Sequence, residues 1–197
     1  PKYFYLNKIN FSNIDLKKEI SKNKLKFPIV IKPNQEGSSI GVNICKNFNL
    51  LNSSFKKLRK KYDDLIFENY IPGKEIQVAN IGSNAIGAIE LQPKRKFYDY
   101  DAKYKKSSKT KHIMPADISK KKYKEVLKIS EKAYKILNCR GIARCDFRFY
   151  KDKFYLLEVN TQPGMTSLSL VPEIAAYENI SFTKLVKWMV NNASLNR

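Results

Sequence analysis

Residues 154–167 read FYLLEVNTQPGMTS. Phe154 to Val159 has the length and apolar content of a buried strand, yet Glu158 and Asn160 stand at alternate positions, so both point to one face of that strand. Pro163, Gly164 and a run of hydroxyl residues then break it into a loop. The preceding stretch, Ala143 to Tyr150 (ARCDFRFY), is a natural antiparallel partner. With Lys151-Asp152-Lys153 as a three-residue hairpin loop, Asp146 falls opposite Glu158 and Arg144 opposite Asn160. The other face, Cys145, Phe147, Phe149, Tyr155, Leu157 and Val159, is then the core. Carboxylates facing each other across a sheet have Cβ atoms roughly 5 Å apart and repel unless a cation lies between them. Hard divalent ions take oxygen ligands, and Asp146, Glu158 and the Asn160 amide supply three of them. A magnesium site is one reading of the hairpin. Neutralisation of two surface acids by Arg144 and Arg148 is the other, and the hairpin alone leaves both open.

The 197 residues are 43% hydrophobic, 28% charged and 12% aromatic, which suits a globular chain of one or two domains rather than a disordered one. Cys45, Cys139 and Cys145 are odd in number and lack metal-ligand spacing, so a reducing, cytoplasmic setting is expected. No apolar run is long enough to span a bilayer, and the opening Pro1-Lys2-Tyr3-Phe4 does not read as the long apolar segment of a signal peptide. The net charge of +20 raises nucleic acid as a partner. Its lysines, however, are spread along expected helix faces, as in Ser119 to Lys124 (SKKKYK), so neither nucleic acid nor membrane is the expected partner.

The pattern predicts a mixed α+β chain. Strands are expected at 28–32, 65–69, 75–81, 85–91, 141–150 and 154–159, with a hairpin turn at Gly82-Ser83-Asn84. Helices are expected near 15–23, 49–61 and 181–192, and from the N-cap Ser119 to Leu137, with Gly141 ending the last of these. The segment 103–111, rich in Lys, Ser and Thr, is expected to be a mobile loop, with His112 as a solvated neighbour.

Two further constellations matter. The strand ending in Lys32 is followed at once by Asn34 to Gly41 (NQEGSSIG), a loop able to turn backbone N–H groups toward an anion with Lys32 as point charge. It is not the Walker order of glycines followed by lysine. Phe67 to Glu75 (FENYIPGKE) is a strand end and turn whose backbone and carboxylates suit an adenine edge and ribose hydroxyls.

Taken together, KPNQEGSSIGV, FENYIPGKEIQVA, FYDYDAKY, GIARCDF and FYLLEVNTQPGMTSLSLVP resemble, in order and spacing over nearly the whole chain, the motifs of the D-alanine-D-alanine ligases of the ATP-grasp superfamily. The resemblance implies two α+β lobes with largely antiparallel sheet enclosing ATP. Residues 1–68 would form the first lobe, incomplete at its N-terminus, and 69–197 the C-terminal lobe with the magnesium and substrate site. It implies ATP-dependent joining of two D-alanines through an acyl phosphate, for peptidoglycan precursors.

The resemblance also implies roles. Asp146, Glu158 and Asn160 would hold magnesium or manganese. Lys32 and Lys103 would contact ATP phosphates; Glu68 and Glu75 would take the adenine amino group and ribose, with Asn69 and Ile71 nearby. Arg144, with the Gly164 N–H, would stabilise the tetrahedral oxyanion, while Ser169 and Leu170 would hold the second D-alanine's carboxylate. Ser38 and Tyr104 would link the Gly-Ser loop to a closing loop, and Tyr104 is typical of dipeptide-forming members. Asn69 stands where many members carry lysine. Members also possess an N-terminal domain of about a hundred residues that contacts the first D-alanine, so these residues alone are expected to be a fragment that lacks ligation. A homodimer of a full-length form is left open. The alternative is an inactive remnant or basic binding module that uses the fold for nucleotide or nucleic acid.

Overall fold

The structure, a computed structural model, describes residues 1–93 and 110–194. Pro1–Ile71 form one compact unit, and 72–93 with 110–194 another.

In the first unit, β1 (Tyr3–Asn7), β2 (Ile29–Pro33), β3 (Asn43–Cys45) and β4 (Asp64–Asn69) make an antiparallel sheet in the order β1-β4-β2-β3. Alternation puts Phe4, Leu6, Ile29, Ile31, Leu65 and Phe67 on one face. There they pack with Leu16 of α1 (Leu16–Lys22) and with Leu51, Phe55 and Leu58 of α2 (Phe48–Leu58). Burying each of these large side chains contributes about 1.5–3 kcal/mol. Asp15 caps α1 by accepting from the Lys17 and Lys18 N–H groups, and Asn47 caps α2 by accepting from Leu50 N–H. The opposite sheet face carries Lys32 and Glu68.

In the second unit, β5 (Lys74–Ile81), β6 (Asn84–Gln92), β7 (Lys111–Ile113), β8 (Ile142–Tyr150) and β9 (Lys153–Asn160) form an antiparallel sheet ordered β7-β6-β5-β8-β9. One face, with Ile76, Val78, Ala88, Cys145 and Phe147, packs on α3 (Lys120–Ile136) through Val126 and its neighbours. Burial pushes the Cys145 thiol up from its ordinary value. Helices α4 (Leu170–Tyr177) and α5 (Phe182–Asn192) complete the unit. A Cβ on Gly87 would lie 2.9 Å from Ile174 Cγ2. Because Gly87 shares a row with Ala79 and Arg144, α4 covers the β6 and β5 part of the face opposite α3.

The β8–β9 hairpin corrects the sequence reading in one respect. Its loop is two residues, Lys151 and Asp152, both at positive φ (47° and 61°), and Tyr150 pairs directly with Lys153. The extra residue sits further along: Phe147 pairs with Leu156 and Asp146 with Glu158, leaving Leu157 as a bulge. The bulge restores the expected pairing of Asp146 with Glu158 and Arg144 with Asn160. Between turn and bulge the parity is reversed, so Phe154 and Leu156 join the core in place of Tyr155 and Leu157.

Other differences are local. Helix α3 stops at a left-handed Asn138 (φ 49°), with Asn138 N–H donating to Lys135 O and Cys139 N–H to Tyr134 O, ahead of Gly141. Lys111 and His112 belong to β7 rather than to a loop, while 103–109 lie outside the described residues. The strands β1, β3 and β7 and helix α4 were not expected.

Candidate functional site

The face of the second sheet opposite α3 has a simple grid. One row runs Asn160, Arg144, Ala79, Gly87; the next Glu158, Asp146, Gln77, Ile89; the third Tyr155, Arg148, Glu75, Leu91, His112. Helix α4 covers the apolar end of these rows, and the polar end holds the acids and guanidiniums.

Arg144 holds Asp146 in a bidentate pair, Nε to Oδ1 at 2.7 Å and Nη2 to Oδ2 at 2.9 Å. Arg148 takes Glu75 instead, Nη2 to Oε2 at 3.0 Å, and donates from Nη1 to Gly73 O at 3.2 Å. The arginines thus neutralise acids, as the plainer reading of the hairpin has it, and Arg148 reaches across to Glu75 on the next strand. Asp146 is 6% exposed; Glu158 is exposed. Asn160 Oδ1 accepts from Gln162 N–H at 3.0 Å.

Asp146, Glu158 and Asn160 offer oxygen donors alone, a set that fits a hard divalent cation. Among the described residues no group of three or more His, Cys, Asp or Glu side chains gathers that could hold a metal. A cation here would therefore rest on two carboxylates and an amide, and would draw Asp146 away from Arg144.

The loop after β9 and the start of α4 hold the remaining expected residues of this unit. Ser169 Oγ accepts from Thr166 N–H at 3.0 Å and lies 2.9 Å from Thr166 Oγ1. A Cβ on Gly164 would stand 2.8 Å from Ser169 Oγ, so only glycine admits this close approach. Leu170 begins α4 and is buried. Ser169 is its N-cap by backbone and makes no side-chain cap bond. On the same helix, Glu173 Oε2 meets His112 Nδ1 at 2.7 Å, and the histidine stays exposed on β7.

In the first unit, Lys32 Nζ pairs with Glu68 Oε1 at 2.9 Å on the sheet face opposite the helices. Asn69 Oδ1 accepts from Lys26 N–H at 2.8 Å, an anchor for the chain entering β2. Ser38 and Ser39 both adopt positive φ (51° and 62°) in the loop after β2, and Ile71 closes the unit. Lys103 and Tyr104 lie outside the described residues.

Sequence reasoning missed Gln77, which is 1% exposed and stands between Asp146 and Glu75 in the grid. Its alternation with Glu75 was the available signal.

The profile of the family described as "D-ala D-ala ligase C-terminus" matches residues 1–191. The chain belongs to this family. Relatives in the family agree. The D-alanine--D-alanine ligase of Pelagibacter ubique is 51% identical over 197 residues, all of this chain and 64% of that protein. The crystal structure of D-alanine--D-alanine ligase from Bacillus anthracis superposes with a TM-score of 0.83 at 31% identity, covering 98% of this chain and 61% of that one. A crystal structure of D-alanine--D-alanine ligase from Bacillus anthracis complexed with ATP gives a TM-score of 0.81 at 26% identity over 98% of this chain and 59% of that one. The chain thus spans a little under two thirds of these relatives, and its fold is the α+β ATP-grasp fold of its structural neighbours, with two antiparallel sheets.

Proposed function

We propose that the chain is the ATP- and metal-binding portion of a cytoplasmic ligase that joins two D-alanines, with ATP converted to ADP and phosphate, for peptidoglycan precursors. Support comes from the family, from a relative solved with ATP, and above all from one observation: β8 and β9 set Asp146 opposite Glu158 beside Arg144 and Asn160 on one face. Four polar side chains in adjacent register positions, two of them like-charged, serve a ligand better than they serve stability.

A free carboxylate is a poor electrophile, so the proposed chemistry first moves the γ-phosphoryl group of ATP to one D-alanine. The amine of the second then attacks the acyl phosphate and phosphate leaves. Magnesium or manganese, held by Asp146, Glu158 and Asn160, would neutralise phosphate charge. Arg144, released from Asp146, supplies positive charge to the tetrahedral oxyanion, together with the Gly164 N–H. Ser169 and the first N–H groups of α4, including Leu170, receive the second substrate's carboxylate. In the other unit Lys32 serves the phosphates, and Glu68, with Asn69 and Ile71 nearby, the adenine. Glu75, fixed by Arg148, takes the ribose. Ser38, Lys103 and Tyr104 keep the roles the resemblance implies. Domain boundaries near residue 68 and a homodimer of a longer form belong to the same proposal.

The test is calorimetric titration of the chain with ATP and Mg2+. Binding that requires Mg2+ and is lost in Asp146→Ala, while Lys120→Ala leaves it unchanged, supports the proposal. Equal loss in both variants favours a basic binding module.

A further inference from the structure

Gln77 is fully enclosed, yet its two amide atoms are treated differently. Nε2 lies 3.5 Å from Glu75 Oε1, a long contact whose direction is set by charge: turning the amide over would place its oxygen against the carboxylate. Oε1 therefore points away from Glu75, and no donor among the described residues reaches it. A buried acceptor left without a donor is an uncommon choice for a folded chain and calls for a second state that satisfies it.

Two guanidiniums stand one position away in the grid. Arg148 is committed to Glu75 and to Gly73 O, neither of which the proposed cation claims. Arg144 is committed to Asp146, which the cation does claim. Gln77 is the direct cross-strand partner of Asp146, so Arg144, two residues along the same strand, is its diagonal neighbour at about 7–8 Å, within reach of an arginine side chain.

Resting on the reading that Asp146, Glu158 and Asn160 take a divalent cation, we infer that Gln77 is a positioning residue: its Oε1 receives the Arg144 guanidinium when Asp146 turns to the cation. A neutral carbonyl suits this purpose because it orients the guanidinium without cancelling its charge, which stays available for an anionic reacting group. A carboxylate at the same place would hold the arginine and neutralise it. The apolar alternatives Leu and Met would remove the unsatisfied acceptor and with it the carbonyl that orients the released arginine.

The test is Mn2+ titration of the chain in the presence of ATP, followed by electron paramagnetic resonance, for the native protein, Gln77→Leu and Gln77→Met. It is joined to the Arg144 Nε–H NMR signal with and without Mg2+ and ATP. The expected result is an unchanged or higher melting temperature in both variants, Mn2+ affinity about tenfold weaker, and an Arg144 signal that shifts on Mg2+ addition in the native chain only. Native Mn2+ affinity in both variants, or an Arg144 signal that stays put in the native chain, overturns the inference while the cation reading stands. A lowered melting temperature with intact affinity assigns Gln77 to packing and also overturns it. No Mn2+ binding by the native chain removes the cation reading and this inference with it.

Discussion

Asp146 and Glu158 face each other on adjacent antiparallel strands, and the two are unequal: Asp146 is 6% exposed and clamped by Arg144, while Glu158 is exposed. Their replacement should therefore differ in kind. Asp146→Asn breaks an enclosed ion pair and should lower stability by about 3 kcal/mol. Glu158→Gln should stay within about 0.5 kcal/mol of the native chain and still lose cation binding. Urea melts beside Mn2+ titrations measure both.

The two-residue loop predicts a stabilising change far from the acids. Lys151 and Asp152 hold left-handed backbone, which costs side-chain-bearing residues about 1–2 kcal/mol each, and Asn-Gly favours this turn. Lys151→Asn combined with Asp152→Gly should raise stability by about 1 kcal/mol with cation binding unchanged. No gain in denaturant melts would speak against the two-residue turn.

The site pairing was legible because only two carboxylates and one amide alternate with apolar residues on β8 and β9. The loop length was not, since the extra residue leaves no composition signal: Leu157 at a bulge looks like Leu157 in a core. The pairing came out as expected because moving one residue from turn to bulge leaves everything beyond the bulge in the same register. Helix α4 stayed hidden for another reason. Its first four residues, Leu170, Val171, Pro172 and Glu173, contain a proline in the turn that needs no N–H partner, and burial of Leu170, Val171, Ile174 and Ala175 blurs the one-faced pattern that marks a surface helix. Polar pairs such as Lys32 with Glu68, or His112 with Glu173, link residues distant in sequence and become visible only once the strands are ordered.

Lys74 is a structural cation with a pH signature. Its Nζ binds Glu90, 1% exposed, and Asp117, each at 2.9 Å. Burial by itself would lower its pKa, but the bonds to Asp117 and Glu90 raise it above the ordinary value. The bond to Lys74 holds Asp117 below the usual carboxylate range. A raised lysine stabilises fully below its unfolded value and loses that contribution as pH rises through the folded one. A depressed carboxylate stabilises above its unfolded value and loses this as pH falls through the folded one. Lys74→Met should cost about 3 kcal/mol at neutral pH by leaving the buried Glu90 charge without its counter-ion, held among the described residues by the Gln92 amide alone at 2.8 Å. The gap between variant and native melts should narrow in strong alkali and, on the other side, in acid, where protonation of the carboxylates removes the buried charge.

Gly164 exists for Ser169. Gly164→Ala sets a Cβ 2.8 Å from Ser169 Oγ and should displace the hydroxyl from Thr166, a loss of about 1 kcal/mol. Ser169→Ala should have a similar effect, and the double variant should add little. Urea melts of the two single variants and the double variant measure it.

The most direct test of the account is Mn2+ binding, with ATP present, by the native chain and by Glu158→Gln. The account predicts saturable Mn2+ binding in the first and its loss in the second, whose melting curve remains native. Equal Mn2+ affinity in the two proteins would contradict it.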